Sequence, residues 1–134
     1  MNNYCGSQRL PLTKQNISQI VSLVFKEEGV KNYSLIFNFI SGKEIQKINK
    51  NYLNHDFVTD IITFPYIEHN KLIDGEIFIS TEQVRSNSKV YKTSFKDELR
   101  RVIIHGCLHL LGYDDRTGKQ IKLMRGKEDF YLNK

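Results

Sequence analysis

A dense apolar stretch that contains two histidines four residues apart constrains this chain most. Residues 99–111 read L-R-R-V-I-I-H-G-C-L-H-L-L. On a helix, residues i and i+4 lie one above the other, so the imidazoles of His105 and His109 project from the same face. The pattern predicts a buried helix that presents two nitrogen ligands to a metal ion.

The residues after this helix predict a turn that returns a third ligand. Gly112 can adopt the left-handed conformation that ends a helix, and the sequence Y-D-D follows it. Three protein ligands with one open coordination position are typical of a catalytic zinc site, and both imidazole and carboxylate bind zinc well. We therefore predict that His105, His109 and Asp115 hold one zinc ion.

Periodicity and capping residues predict an α+β domain. Five helices are expected to begin at the capping residues Thr13, Ser41, Thr81, Ser94 and Thr117. Strands are expected over residues 33–40, 59–66 and 76–80, with Pro65 at an edge or a strand end, and with a hairpin connection over residues 69–75. The terminal helix is predicted to pack through Ile121, Met124 and Phe130. The order of elements favours a small mixed sheet of three to four strands flanked by helices, with the histidine helix buried at its centre.

Length and charge limit the class of protein. A chain of 134 residues suits one domain spanning residues 1–134. No apolar run approaches the ~20 residues of a transmembrane helix, and the N-terminus lacks a signal-peptide pattern, so we expect a soluble cytoplasmic protein without a membrane partner. Residues 85–134 carry 12 Lys/Arg against 6 Asp/Glu, whereas residues 1–84 carry 8 against 9. This excess favours a polyanion such as RNA or DNA, although ordinary solubilising charge explains it equally well.

The residue after the first histidine separates two kinds of zinc enzyme. The zinc-protease motif H-E-x-x-H has a glutamate general base where this chain has Gly106, so a peptide substrate is not expected. Gly106 either lets a substrate approach the metal closely or packs against a neighbouring element. The sequence leaves both interpretations open.

Three blocks of this sequence resemble the YbeY family of metal-dependent endoribonucleases. Residues 105–115, H-G-C-L-H-L-L-G-Y-D-D, are similar to the family signature H-G-x-L-H-L-x-G-Y-D-H. Residues 59–65, T-D-I-I-T-F-P, and residues 75–80, G-E-I-F-I-S, are similar to two further family blocks, T-D-V-L-S-F-P and G-D-I-x-I-S. The chain is identified as a variant of this family in which Asp115 replaces the third metal-binding histidine.

The resemblance implies a zinc-dependent endoribonuclease that hydrolyses single-stranded RNA. It also implies a part in ribosomal RNA maturation, at the 3′ end of 16S rRNA, and in ribosome quality control, with ribosomal RNA and the ribosome or its proteins as partners. Two imidazoles and one carboxylate also accept iron or manganese, so other divalent metals remain open. The alternative function is a non-catalytic assembly factor that binds ribosomal RNA and carries a structural metal.

Residues for proton transfer and for RNA contact are harder to assign. Asp60 and Asp114 are candidates for a general base or acid, although each also suits a purely structural role. The family commonly has an arginine where this chain has Leu53. Sequence neighbourhood suggests four other residues for contacts to RNA: Lys50, His55, Arg85 and Lys89.

Overall fold

In the part of the chain that the structure describes, a four-stranded mixed sheet carries five helices, as the α+β prediction requires. The computed structural model describes residues 2–5, 9–69 and 72–134. The elements are β1 (Asn2–Cys5), α1 (Lys14–Glu27), β2 (Asn32–Ile40), α2 (Gly42–Leu53), β3 (Ile61–His69), β4 (Leu72–Ser80), α3 (Thr81–Val90), α4 (Phe95–Leu110) and α5 (Gly118–Leu132). The strand order is β1-β2-β4-β3, with β3 antiparallel to β4 and the other pairs parallel. β1 has no counterpart among the predicted strands, because four residues are too few for a periodic signal.

Side-chain caps determine where the helices begin. Four of the five predicted caps accept a backbone N–H from the third helical residue: Thr13, Ser41, Ser94 and Thr117. The prediction that Thr81 caps α3 is wrong by one residue, because the Ser80 side chain accepts from Gln83 N–H at 3.2 Å and Thr81 is already helical. Across the described residues, none of the helices combines the length and apolar character that crossing a membrane requires.

The hairpin of β3 and β4 is longer than predicted. β4 begins at Leu72, which pairs with His69, and not at Glu76. The predicted connection over residues 69–75 therefore shortens to residues 70–71, which lie outside the described residues. Pro65 lies in the edge strand β3, at a register irregularity before Ile67, as expected for a residue that has no N–H to donate.

Helix α4 is the centre of the core. It packs on α1, α3 and α5 and on strands β3 and β4. Its buried apolar side chains are Leu99, Val102, Ile103, Ile104, Cys107, Leu108 and Leu110. His105 and His109 lie on the half-buried side of this helix. The core thus holds the backbone of both histidines while their rings remain accessible.

Helix α5 turns a different face inward than predicted. Met124, Glu128 and Tyr131 are buried, at the i, i+4, i+7 spacing of one helical stripe, whereas Ile121 and Phe130 are exposed. The predicted packing is confirmed for Met124 and wrong for Ile121 and Phe130, because the buried stripe includes a glutamate. The reason for burying this carboxylate lies in the site on α4.

Gly106 packs closely against the sheet. A Cβ at this position would lie 2.7 Å from Cδ1 of Ile61 and 3.4 Å from Cδ1 of Ile77. Of the two interpretations left open by the sequence, the structure therefore supports close packing. The glycine lets α4 approach β3 and β4.

Alanine at Gly106 and at Gly126 should separate helix propensity from packing. An added Cβ at Gly126 of α5 meets no atom within 4 Å, so Gly126→Ala should raise the free energy of unfolding by about 1 kcal/mol. Gly106→Ala gains the same propensity but displaces Ile61, so it should be less stable than Gly126→Ala by at least ~1 kcal/mol. Urea unfolding followed by circular dichroism measures both, and equal stability of the two variants would contradict the packing role.

Candidate metal centre

Three side chains from α4 and the turn after it converge at the surface. The Nε2 atoms of His105 and His109 lie 3.0 Å apart. Oδ2 of Asp115 lies 3.4 Å from Nε2 of His105 and 3.5 Å from Nε2 of His109. The structure therefore brings together the three residues predicted as metal ligands, as a group that can hold a metal ion.

The spacing of these three atoms fits a tetrahedral metal ion. With zinc–ligand bonds of about 2.0–2.1 Å, two ligands at the tetrahedral angle lie ~3.4 Å apart. The observed separations of 3.0, 3.4 and 3.5 Å agree with that spacing. Two imidazoles and one carboxylate also suit iron or manganese, so the donors fit a divalent ion without selecting one.

The turn that delivers Asp115 has a local cause. Gly112 has φ +102°, a conformation that L side chains rarely adopt, and N–H of Tyr113 donates to the carbonyl of Leu108 at 3.0 Å. Oδ1 of Asp114 then accepts N–H of Asp115 at 2.9 Å. Asp114 thus shapes the turn, whereas the side chain of Asp115 points to the histidines.

A buried carboxylate behind His105 orients its ring. Nδ1 of His105 lies 2.7 Å from Oε2 of Glu128, and Nη1 of Arg101 donates to Oε1 of the same carboxylate at 2.8 Å. Because an ionised carboxylate only accepts, Nδ1–H of His105 is the donor. In the neutral imidazole, Nε2 is then the unprotonated nitrogen that faces His109 and Asp115, which is the arrangement typical of metal-binding histidines.

The pKa values of this pair shift in opposite directions. Burial lowers the pKa of His105, but the hydrogen bond and the charge of Glu128 raise it more, so the net pKa of the imidazole is raised. Burial raises the pKa of Glu128, but hydrogen bonds from His105 and Arg101 outweigh it, so the net pKa of the carboxyl is lowered. Both shifts express the same pairing, which keeps Glu128 ionised inside the protein.

The turn is also tied to helix α1 through Glu28. The hydroxyl of Tyr113 donates to Oε1 of Glu28 at 2.6 Å, and Nζ of Lys127 donates to Oε2 at 3.0 Å. The hydroxyl of Tyr131 also donates to Oε2. Burial raises the pKa of Glu28, but these hydrogen bonds lower it more, so its net pKa is lowered. The carboxylate of Glu28 therefore joins the end of α1 to α5 and to the turn that carries Asp115.

Two cavities open beside the three candidate ligands. One has a volume of about 570 Å³ and the other about 330 Å³, and Asp60, His105 and Asp115 line both. The larger cavity extends to Arg125 of α5. The smaller cavity extends to the segment between α2 and β3. A ligand at the three residues can therefore be approached from two sides.

The other sequence candidates differ in where they lie. Asp60 lies with the candidate ligands, whereas Asp114 is engaged in the turn and by Nε of Arg116 at 3.3 Å. Among the described residues that line the two cavities, none is one of the four suggested for RNA contact: Lys50, His55, Arg85 and Lys89. The ring of His55 packs against that of Phe57, which does line the smaller cavity. The guanidinium of Arg85 lies over the ring of Phe95 instead.

Four charged residues around the site were not anticipated from the sequence: Glu98, Arg101, Arg125 and Glu128. Glu98 is buried and lines the larger cavity; desolvation raises its pKa, and the net pKa remains raised although the nearby Arg101 charge lowers it. Glu98 and Arg101 precede His105 by two helical turns and one, which places them on the same face of α4. A helical projection through His105 is thus the signal that could have found them.

The mutation Glu128→Gln should weaken metal binding without unfolding the protein. The amide keeps the shape but not the charge that makes His105 a better ligand, so zinc affinity should fall about 10- to 100-fold. Competition against a chromophoric chelator measures this affinity. Asp129→Asn is the matched control, because Asp129 also binds Arg101, at 2.7 Å, and does not contact His105. An unchanged affinity in Glu128→Gln would contradict the orienting role.

Comparison with known proteins places this arrangement in a family. The family described as Endoribonuclease YbeY matches residues 4–134. Relatives of that name occur in Chlorobium phaeovibrioides, 41% identical over 127 residues (95% of this chain and 85% of the relative), and in Amoebophilus asiaticus, 44% identical over 116 residues (87% and 79%). A Thermotoga maritima protein solved in solution matches with a TM-score of 0.72 at 28% identity, covering 99% of this chain and 87% of that one. The chain belongs to the endoribonuclease YbeY family.

Proposed function

We propose that this protein is a zinc-dependent endoribonuclease that hydrolyses phosphodiester bonds of single-stranded RNA. Family membership makes it an endoribonuclease, a hydrolase that acts on RNA. The observation that carries the zinc dependence is the close triangle of His105, His109 and Asp115. The proposal includes ribosomal RNA maturation at the 3′ end of 16S rRNA and ribosome quality control, in the cytoplasm, where the ribosome and its proteins are the partners.

The three candidate ligands have distinct tasks in this proposal. These residues would hold a zinc ion, which would supply a water of lowered pKa and a polarised phosphate oxygen for phosphodiester hydrolysis. His105 and His109 bind through Nε2, and Glu128 holds the ring of His105 in place. Asp115 binds through Oδ2 and contributes a negative charge where the family signature has a neutral imidazole. That charge leaves a weaker net positive field at the site than three histidines would.

Asp60 is the carboxylate that accepts a proton from the attacking water. It lines both cavities together with His105 and Asp115, and its charge acts on the His105 imidazole. Asp114 does not take this role, because its carboxylate is engaged in the turn and by Arg116. A general base at Asp60 can therefore act on a substrate that enters through either cavity.

An arginine that lines the larger cavity stabilises the negative charge of the phosphate. Arg101 is engaged by Glu128 and Asp129. Arg125 is exposed in the same cavity, and a guanidinium is suited to bind an anionic oxygen. The residues Lys50, His55, Arg85 and Lys89 are left for contacts to RNA farther from the metal.

Cleavage of a single-stranded RNA should require Asp115 and tolerate loss of Asp114. The wild-type protein should cut the RNA, lose this activity in a chelator and recover it with zinc. Asp115→Ala should lower both metal content and cleavage rate, the rate by at least about 100-fold, because a ligand is lost. Asp114→Ala, in the same turn, should retain most of the activity.

Two results would reject the proposal. Cleavage and metal content that survive His105→Ala combined with His109→Ala would place the chemistry elsewhere. Tight, salt-sensitive binding of ribosomal RNA without any cleavage would support the assembly-factor function instead.

Asp60→Asn should separate proton transfer from metal binding. Loss of the base should lower kcat by about 10²- to 10⁴-fold, while zinc affinity stays close to that of the wild type. Asp129→Asn, a carboxylate near the site but outside both cavities, should leave kcat unchanged. Steady-state kinetics with a metal titration measures both quantities, and an unaltered kcat in Asp60→Asn would remove Asp60 from the mechanism.

A further inference from the structure

The end of α2 and the segment that follows it expose an unusual amount of apolar surface. Four large side chains within residues 52–58 are exposed, and we call them the apolar patch: Tyr52, Leu53, Phe57 and Val58. Tyr52 is 72% exposed and Phe57 is 53% exposed. A cluster of exposed apolar side chains on a small protein is typical of a binding surface.

This apolar patch reaches the candidate metal centre. Leu53 and Phe57 line the cavity of about 330 Å³ together with His105, His109 and Asp115. When the reacting bond of a bound molecule lies at these candidate ligands, the adjacent groups of that molecule therefore lie beside Phe57. Through Leu53 and Phe57, the patch therefore adjoins the candidate metal centre.

Hydrogen bonds hold the backbone of this segment on helix α2. Nδ2 of the buried Asn49 donates to the carbonyl of Phe57 at 3.1 Å, and N–H of His55 donates to the carbonyl of Asn49 at 3.2 Å. The ring of His55 packs against the ring of Phe57, with centroids 5.4 Å apart. Because the backbone is held while the ring stays exposed, Phe57 offers a preformed flat surface whose ordering cost on binding is small.

The chemistry of the proposed substrate indicates which molecule binds the apolar patch. RNA carries planar bases next to each phosphodiester, and exposed aromatic rings bind unstacked bases through their faces. Bases in a duplex have these faces covered by their neighbours, so only unpaired RNA can use such a ring. This reasoning rests on the proposed endoribonuclease function.

We propose that Phe57, which lines the smaller cavity together with Leu53, stacks the base next to the scissile phosphate and so favours unpaired RNA. The base enters the smaller cavity, while the phosphate lies at His105, His109 and Asp115. The ring of His55 lies beside the ring of Phe57, at an interplanar angle of 51°. Specificity for single strands then comes from an apolar contact and does not depend on reading a sequence.

A binding measurement without cleavage tests this assignment. A short RNA that carries 2-aminopurine is added to the full-length protein in the presence of a chelator. Stacking on Phe57 should quench the fluorescence of the base, and Phe57→Ala should abolish most of the quenching. Phe57→Trp, which restores a flat ring, should recover the affinity. Phe130→Ala, which removes a 48% exposed ring on α5, is the matched control and should behave like the wild type.

Kinetics provide the second readout. KM for single-stranded RNA should rise roughly 5- to 150-fold in Phe57→Ala, which corresponds to the ~1–3 kcal/mol of one base–aromatic stack, while kcat changes little. An abasic site placed next to the cleaved bond should raise KM for the wild type by a similar factor and should not raise it further in Phe57→Ala. Unchanged KM and unchanged quenching in Phe57→Ala would overturn the assignment.

The stacking role of Phe57 and the endoribonuclease function can fail separately. If the wild-type protein does not cut single-stranded RNA, the proposed function fails, and the fluorescence in chelator still decides whether Phe57 binds a base. If the wild type cuts RNA and Phe57→Ala cuts it with the same KM, only the stacking role fails.

Discussion

The hydrogen bond between His105 and Glu128 is the contact on which the geometry of the site depends. A buried carboxylate is costly unless it is paired and hydrogen-bonded. Glu128 accepts hydrogen bonds from His105 and Arg101, both on α4. The contact that holds α5 on α4 is therefore also the contact that orients the ring of His105. Loss of either donor would weaken the ligand set and the packing of the last helix together.

The parts of the structure that follow local rules could be predicted from the sequence. The i, i+4 spacing of His105 and His109 and the positive φ of Gly112 depend only on neighbours, and so do the caps at Thr13 and Ser94. The turn to Asp115 followed from the same reasoning, since its length is set by three residues after the glycine. The fold class and the antiparallel pair of β3 and β4 also follow from the order of short elements.

Contacts between distant residues could not be predicted in this way. His105 and Glu128 are 23 residues apart, and Tyr113 and Glu28 are 85 residues apart. Hydrophobic periodicity counts a glutamate as a surface residue, which is why the inward face of α5 was assigned to Ile121 and Phe130. Gly106 shows the same limit, because only the packed structure reveals how closely Ile61 approaches it.

The link between Glu28, the ligand turn and α5 has a consequence for a chain that is still being synthesised. His105, His109 and Asp115 emerge from the ribosome before Glu128, Lys127 and Tyr131, which complete the support of the site. A nascent chain therefore holds the candidate ligands before it holds the groups that position them. Order at the site thus depends on residues that are translated after the ligands, so the site forms only when helix α5 has left the ribosome and packed on α4.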